Sequence, residues 1–118
     1  MKRIKAILID SYNKRVLEVE YEAESLDGMY RLLKCTRFTT AGQLPNGDVC
    51  FVDDEGLING TEVFFVPEWY PQPLAGNGLI VGDDGQGGES FDVKSTVEEI
   101  QAMVDFKGID DILFEYSK

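Results

Sequence analysis

Two groups of carboxylates are the side chains in this sequence best placed to bind something. Asp53 and Asp54 lead into Glu55 in one stretch, and Asp83 and Asp84 are followed by Glu89 and Asp92 in another. Carboxylate oxygens are the hard ligands that Mg²⁺ and Ca²⁺ take, so Asp53, Asp54, Asp83 and Asp84 form a candidate divalent-cation site if the two loops converge. Acidic turns held in water are the ordinary alternative. The run DDGQGGESFD lacks the EF-hand ligand pattern at its third and fifth positions. Trp69 and Tyr70, flanked by Pro67, Pro71 and Pro73, can anchor a partner or cap the core. With Gln72, Asn77, Asp83 and Asp84 they complete the candidate binding set.

Catalytic chemistry has less to work with. The chain contains no histidine, so the side chain best suited to proton transfer near neutral pH is absent, and with it any Ser-His or Cys-His nucleophile. No catalytic residue is assigned. Gly76-Asn77-Gly78 has the look of a phosphate loop, but it leads into an apolar run, has no Lys, and is followed by two aspartates that repel phosphate. Cys35 has Lys34 and Arg37 as neighbours, which would depress its pKa if they face it; a lone packed thiol is the commoner case. Cys50, between Val49 and Phe51, reads as packing.

Charge sharpens the picture. The net charge is −11, and residues 38 to 93 hold ten acidic residues with no Lys or Arg, whereas residues 1 to 37 carry eight basic and six acidic side chains. Such a field repels nucleic-acid phosphates and anionic lipid and attracts cations or basic protein surfaces. The expected partner is a protein with a basic surface, with no direct nucleic acid and no membrane. Two cysteines are too few for a disulfide framework, and no apolar run nears the roughly 20 residues that span a bilayer. A cytoplasmic, bacterial setting is expected.

The elements that position these residues follow from periodicity. Ile4–Ile9 and Val16–Tyr21 read as a hairpin, because Leu17, Val19 and Tyr21 alternate with Glu18 and Glu20. Leu26, Met29, Tyr30 and Leu33 have helical spacing. Pro45-Asn46-Gly47 is a turn within a second hairpin. Residues 62–66 form a β-branched and aromatic strand, and Leu79–Val81 a buried one between glycine-rich turns. Ser95-Thr96-Val97-Glu98 has capping-box form and leads into a helical face of Val97, Ile100, Met103 and Val104. The tail 109–116 is apolar enough to dock as helix or strand. At 118 residues the chain is expected to be a single globular domain, residues 1–118, of α+β class. The expected architecture is a mostly antiparallel sheet of five to seven strands with two helices.

The segments KAILIDSYNKRVLEVEY, LPNGDVCFVDDEGL and YPQPLAGNGLIVGDD resemble the domain-of-unknown-function family numbered thirty-eight forty-six, found mostly in phages, plasmids and other mobile elements of bacteria. The resemblance runs from Lys5 to about Ile100 and is most specific over Pro71–Gly82. It implies no catalytic residues and no cofactor. The leading expectation is a non-enzymatic acidic accessory protein of a mobile element that binds a macromolecular partner, one version being an inhibitor of a host nucleic-acid-handling defence enzyme. The alternative is a protein that binds or sequesters a nucleotide-like small molecule through a divalent cation, and a weaker one is a metal-dependent hydrolase. An unpaired strand edge would make a homodimer an expected assembly.

Overall fold

A computed structural model describes residues 3–22, 26–56, 60–83 and 91–116, the side chains of 114–116 apart. Strands β1 (Arg3–Asp10) and β2 (Arg15–Glu22) form the expected N-terminal hairpin, paired without interruption from Arg3↔Glu22 to Asp10↔Arg15. Its turn is tied by Asp10, which accepts from the Asn13 backbone, the Asn13 amide and Arg15 Nε at 3.2, 2.8 and 3.0 Å. Burial works against that charge, but the Asn13 and Arg15 contacts outweigh it and hold the carboxyl below its ordinary pKa. Helix α1 (Leu26–Leu33) follows, then the second hairpin, β3 (Phe38–Gln43) and β4 (Val49–Asp53).

The rest of the chain closes the two hairpins together. Strand β5 (Val63–Pro67) is followed by β6 (Leu74–Ala75) and β7 (Gly78–Val81), then α2 (Val97–Met103), β8 (Val104–Gly108) and α3 (Ile109–Tyr116). The strands form two antiparallel sheets, ordered β2-β1-β7-β4-β3 and β6-β5-β8. The apolar run Leu79–Val81 is thus the fully buried centre of the larger sheet. The class is α+β with antiparallel pairing. The structure adds a second sheet and a third helix to the single sheet and two helices that periodicity predicts.

Alternation decides which face each residue buries. Ile4, Ala6, Leu8, Leu79 and Val81 pack on Met29 and Leu33 of α1. Ile7, Ile9, Cys50, Val52 and Ile80 face the other way, onto Phe65 of the small sheet and Ile100 of α2. The layers therefore run α1, large sheet, then small sheet with α2.

Two boundaries differ from the sequence reading. The helix cap is Thr96, whose hydroxyl accepts from Glu99 N–H while the Glu99 carboxylate accepts from Thr96 N–H. Ser95 is instead taken by Asp48, which accepts from Ser95 N–H at 2.9 Å and from its hydroxyl at 2.7 Å. Val104 does not continue the helical face: it opens β8, whose partner is β5.

Candidate functional site

The β3–β4 hairpin and the segment from Tyr70 to Ala75 enclose a cleft of about 340 Å³. Its hairpin wall carries Thr39, Thr40, Asp53 and Asp54; its other wall carries Tyr70, Gln72 and Leu74. Gly42 shapes the junction. The β3–β4 register shifts between Thr40 and Gln43, Gly42 takes φ +82°, and a Cβ there would meet Trp69 O at 3.2 Å and Tyr70 Cδ1 at 3.3 Å. A glycine-dependent bulge is thus what seats Trp69 and Tyr70.

The acidic side of the cleft is lightly committed. Asp53 Oδ1 accepts from Glu55 N–H at 2.8 Å, a local turn bond, and the carboxylate lies near Cys35 at the margin of the cleft. Asp54 lies 3.9 Å from Arg37 Nη2, a long pair between exposed groups that contributes little. A larger hollow, about 490 Å³, opens beside α1, but there Arg3 and Arg31 alternate with Glu20 and Glu22 and no net charge results.

The structure divides the predicted residues. Asp53, Asp54, Tyr70 and Gln72 converge on the cleft. Trp69, half-buried, packs on the core beneath it. Asn77 is 1 % exposed and fully engaged: its Oδ1 accepts from Ser11 N–H and its amide donates to Leu32 O, both at 3.0 Å. It pins the corner between β6 and β7 and is closed to a ligand.

Asp83 corrects the cation site. Val52 pairs with Gly78 and Val49 with Val81, so Asp53 and Asp83 extend from opposite ends of the β4–β7 ladder. At about 3.3 Å per residue they stand roughly 20 Å apart and cannot share one ion. Asp84 and Glu89 lie outside the described residues. Among the described residues no group of three or more His, Cys, Asp or Glu could hold a metal.

Both thiols are unsuited to chemistry. Burial, with Asp53 nearby, pushes Cys35 up to about 11 despite Lys34 and Arg37 in the sequence. Burial pushes Cys50 up to about 12, opposed by Trp69; the indole Nε1 is itself buried, near that sulfur, without a well-formed hydrogen bond. Iodoacetamide at pH 7.5 is expected to leave both cysteines unmodified in the native protein and to label both once it is unfolded, read as mass increments. Rapid native labelling of Cys35 would contradict the burial seen here.

Sequence reasoning missed Asp48, whose buried carboxylate accepts from three donors, and the hydroxyls of Thr39 and Thr40. The Asn-Gly-Asp turn was a signal for Asp48; nothing local marked the threonines.

A family model described as Domain of unknown function (DUF3846) matches residues 4–106, a span that includes the whole cleft. The uncharacterised protein y4iR of Sinorhizobium fredii (strain NBRC 101917 / NGR234) is 35% identical over 71 residues, which are 60% of this chain and 43% of that protein. The matched stretch is thus less than half of that relative's length. No solved structure matches the chain.

Proposed function

The chain belongs to the DUF3846 family, and from that premise we propose that it is a non-catalytic, acidic accessory protein of a phage or other mobile element that binds a macromolecular partner carrying a basic surface. The convergence of Asp53, Asp54, Tyr70 and Gln72 on one cleft carries this reading. Among the described residues the cleft lining holds no Lys or Arg, it falls in a 56-residue segment without either, and Arg37 reaches Asp54 only through a long, exposed pair. An arginine or lysine of the partner would set its charge against Asp53 and Asp54 and its stem along Tyr70. Thr39, Thr40 and Gln72 supply hydrogen bonds around it. In the more specific version, the partner is a nucleic-acid-handling defence enzyme of the host, and the acidic face occupies the site meant for phosphates. A nucleotide-like ligand held through a divalent cation has weaker support, because Asp83 is too far from Asp53 to complete its ion site.

The test is capture from a host lysate at low salt, comparing the native protein with Asp53→Asn/Asp54→Asn. A basic-surfaced partner is expected to bind the native protein, to weaken about tenfold in the double variant, and to dissociate as ionic strength rises towards 0.5 M. A partner retained equally by the double variant and indifferent to salt would sink the proposal.

A further inference from the structure

We infer that Asn46-Gly47 is a site of spontaneous covalent modification: the folded protein converts Asn46 to aspartate or isoaspartate, and the change loosens the joint between the β3–β4 hairpin and α2. Asparagine is a thermolabile residue, and a following glycine, with no Cβ, leaves its nitrogen open to close approach. Three such pairs occur in the sequence, at Asn46, Asn59 and Asn77. Asn59 lies outside the described residues.

The structure places the other two in opposite settings. Asn46 is exposed on the turn between β3 and β4, and its Oδ1 accepts from Asp48 N–H at 3.0 Å. That bond folds the side chain along its own backbone and closes a ring of which the Gly47 nitrogen is a member. The carbon to be attacked and the attacking nitrogen thus share one tight turn. There is room for them to meet, since a Cβ on Gly47 would find only Lys94 Nζ, at 3.5 Å. Asn77 meets neither condition. It is 1 % exposed, and Ser11 N–H and Leu32 O, from distant parts of the chain, draw its side chain away from Gly78.

In the reaction the Gly47 nitrogen gives up its proton and attacks Cγ of Asn46. A C–N bond forms, closing a five-membered imide, while the Cγ–Nδ2 bond breaks and ammonia leaves with that proton. Water then opens the imide at either carbonyl, giving aspartate or isoaspartate. The Gly47 N–H bond to Leu44 O, 3.0 Å long, holds the proton in place, so the folded chain reacts more slowly than the unfolded one.

The consequence falls on Ser95. Its hydroxyl receives the Asn46 amide at 2.8 Å and gives its one proton to buried Asp48 at 2.7 Å. Either product replaces that amide with a carboxylate, which only accepts, beside an oxygen with no proton left to give. Lys94 Nζ, 3.5 Å from Asn46 O and exposed, screens the new charge without replacing the lost donor. Isoaspartate also adds a carbon to the backbone of a turn closed by Leu44 N–H on Asp48 O at 2.8 Å.

The test incubates the full chain at mildly alkaline pH, native and in urea, and maps conversion peptide by peptide. In urea Asn46 and Asn77 are expected to convert at similar rates. In the native protein Asn46 should outpace Asn77 by about tenfold or more, because an exposed turn opens more often than a buried corner. Protein converted at Asn46, separated by its added negative charge, is expected to exchange the Lys94 and Ser95 amide hydrogens faster and to melt at a lower temperature. Asn46→Asp supplies the aspartate product uniformly and should exchange Ser95 faster too. Asn46→Gln, which would have to close a six-membered ring, should keep its starting protection through the same incubation. The inference is overturned by native conversion of Asn77 as fast as Asn46, by an intact native Asn46 while the urea sample converts, or by unchanged Ser95 protection in converted protein. Equal loss of that protection in incubated Asn46→Gln overturns it as well.

Discussion

Asp48→Ala is expected to destabilise the protein by roughly 3–5 kcal/mol, a large part of the stability of a domain of this size. Asp48 is fully buried and its carboxylate accepts from Lys94 N–H, Ser95 N–H and the Ser95 hydroxyl. Alanine leaves the Ser95 N–H and hydroxyl buried without this acceptor and returns the less buried Lys94 N–H to water, and each buried orphan costs about 1–3 kcal/mol. The loss also releases the second hairpin from α2, because Asn46 reaches the same Ser95 hydroxyl at 2.8 Å. Asp48→Asn provides the contrast. Most of the bonds fall on Oδ2, so an amide that places its carbonyl there keeps them, and the cost should be nearer 1–2 kcal/mol. Urea titration of both variants measures this. An alanine variant within 1 kcal/mol of the native protein would show that Asp48 does not hold the joint.

Gly82→Ala should be the second most damaging of these single changes, at roughly 2–4 kcal/mol. Gly82 pairs with Phe91 through two backbone bonds, 2.8 and 2.9 Å long. A methyl group at Gly82 would lie 2.2 Å from Asp92 O and 3.1 Å from Phe91 O. Both obstacles are backbone, so no side chain can swing aside and the paired segment must move as a unit. That segment also supplies the Asp92 and Val93 contacts to Lys5, so the N-terminal end of β1 should loosen with it. Hydrogen exchange at Lys5 and Val93 would report the displacement, alongside a lowered melting temperature. Unchanged protection at both amides would refute it.

What the sequence disclosed and what it withheld divide along the range of the interactions. The β1–β2 hairpin was legible because alternation over Leu17, Val19 and Tyr21 is a local property, and Leu79–Val81 was legible because an uninterrupted apolar run between glycines has few alternatives. The start of α2 was ambiguous by one residue, since Ser95 and Thr96 are each followed three positions later by a glutamate. Asp48, 47 residues away, settles it by claiming Ser95. Its end was misread because Val97, Ile100, Met103 and Val104 fit one helical face, while Val104-Asp105-Phe106-Lys107 offers too few alternations to announce a strand. Pairing with β5 overrides the local pattern. The acidic character of the site was plain from charge alone. Which acids meet was not: the antiparallel placement of β7 against β4 sends Asp83 away from Asp53, and the bulge at Gly42 brings Tyr70 towards it.

The central position of β7 bears on how the chain is made. Hairpins β1–β2 and β3–β4 are complete once residue 53 has been synthesised, but the strand that joins them spans 78–81. Until those residues leave the ribosome, both hairpins present apolar inner edges with unpaired backbone to each other and to neighbouring nascent chains. The pairings that close the sheet link residues some 70 positions apart, which makes closure slow relative to hairpin formation. The interval between the emergence of β4 and that of β7 is therefore when the growing chain is most exposed to aggregation, and when a chaperone would serve it most.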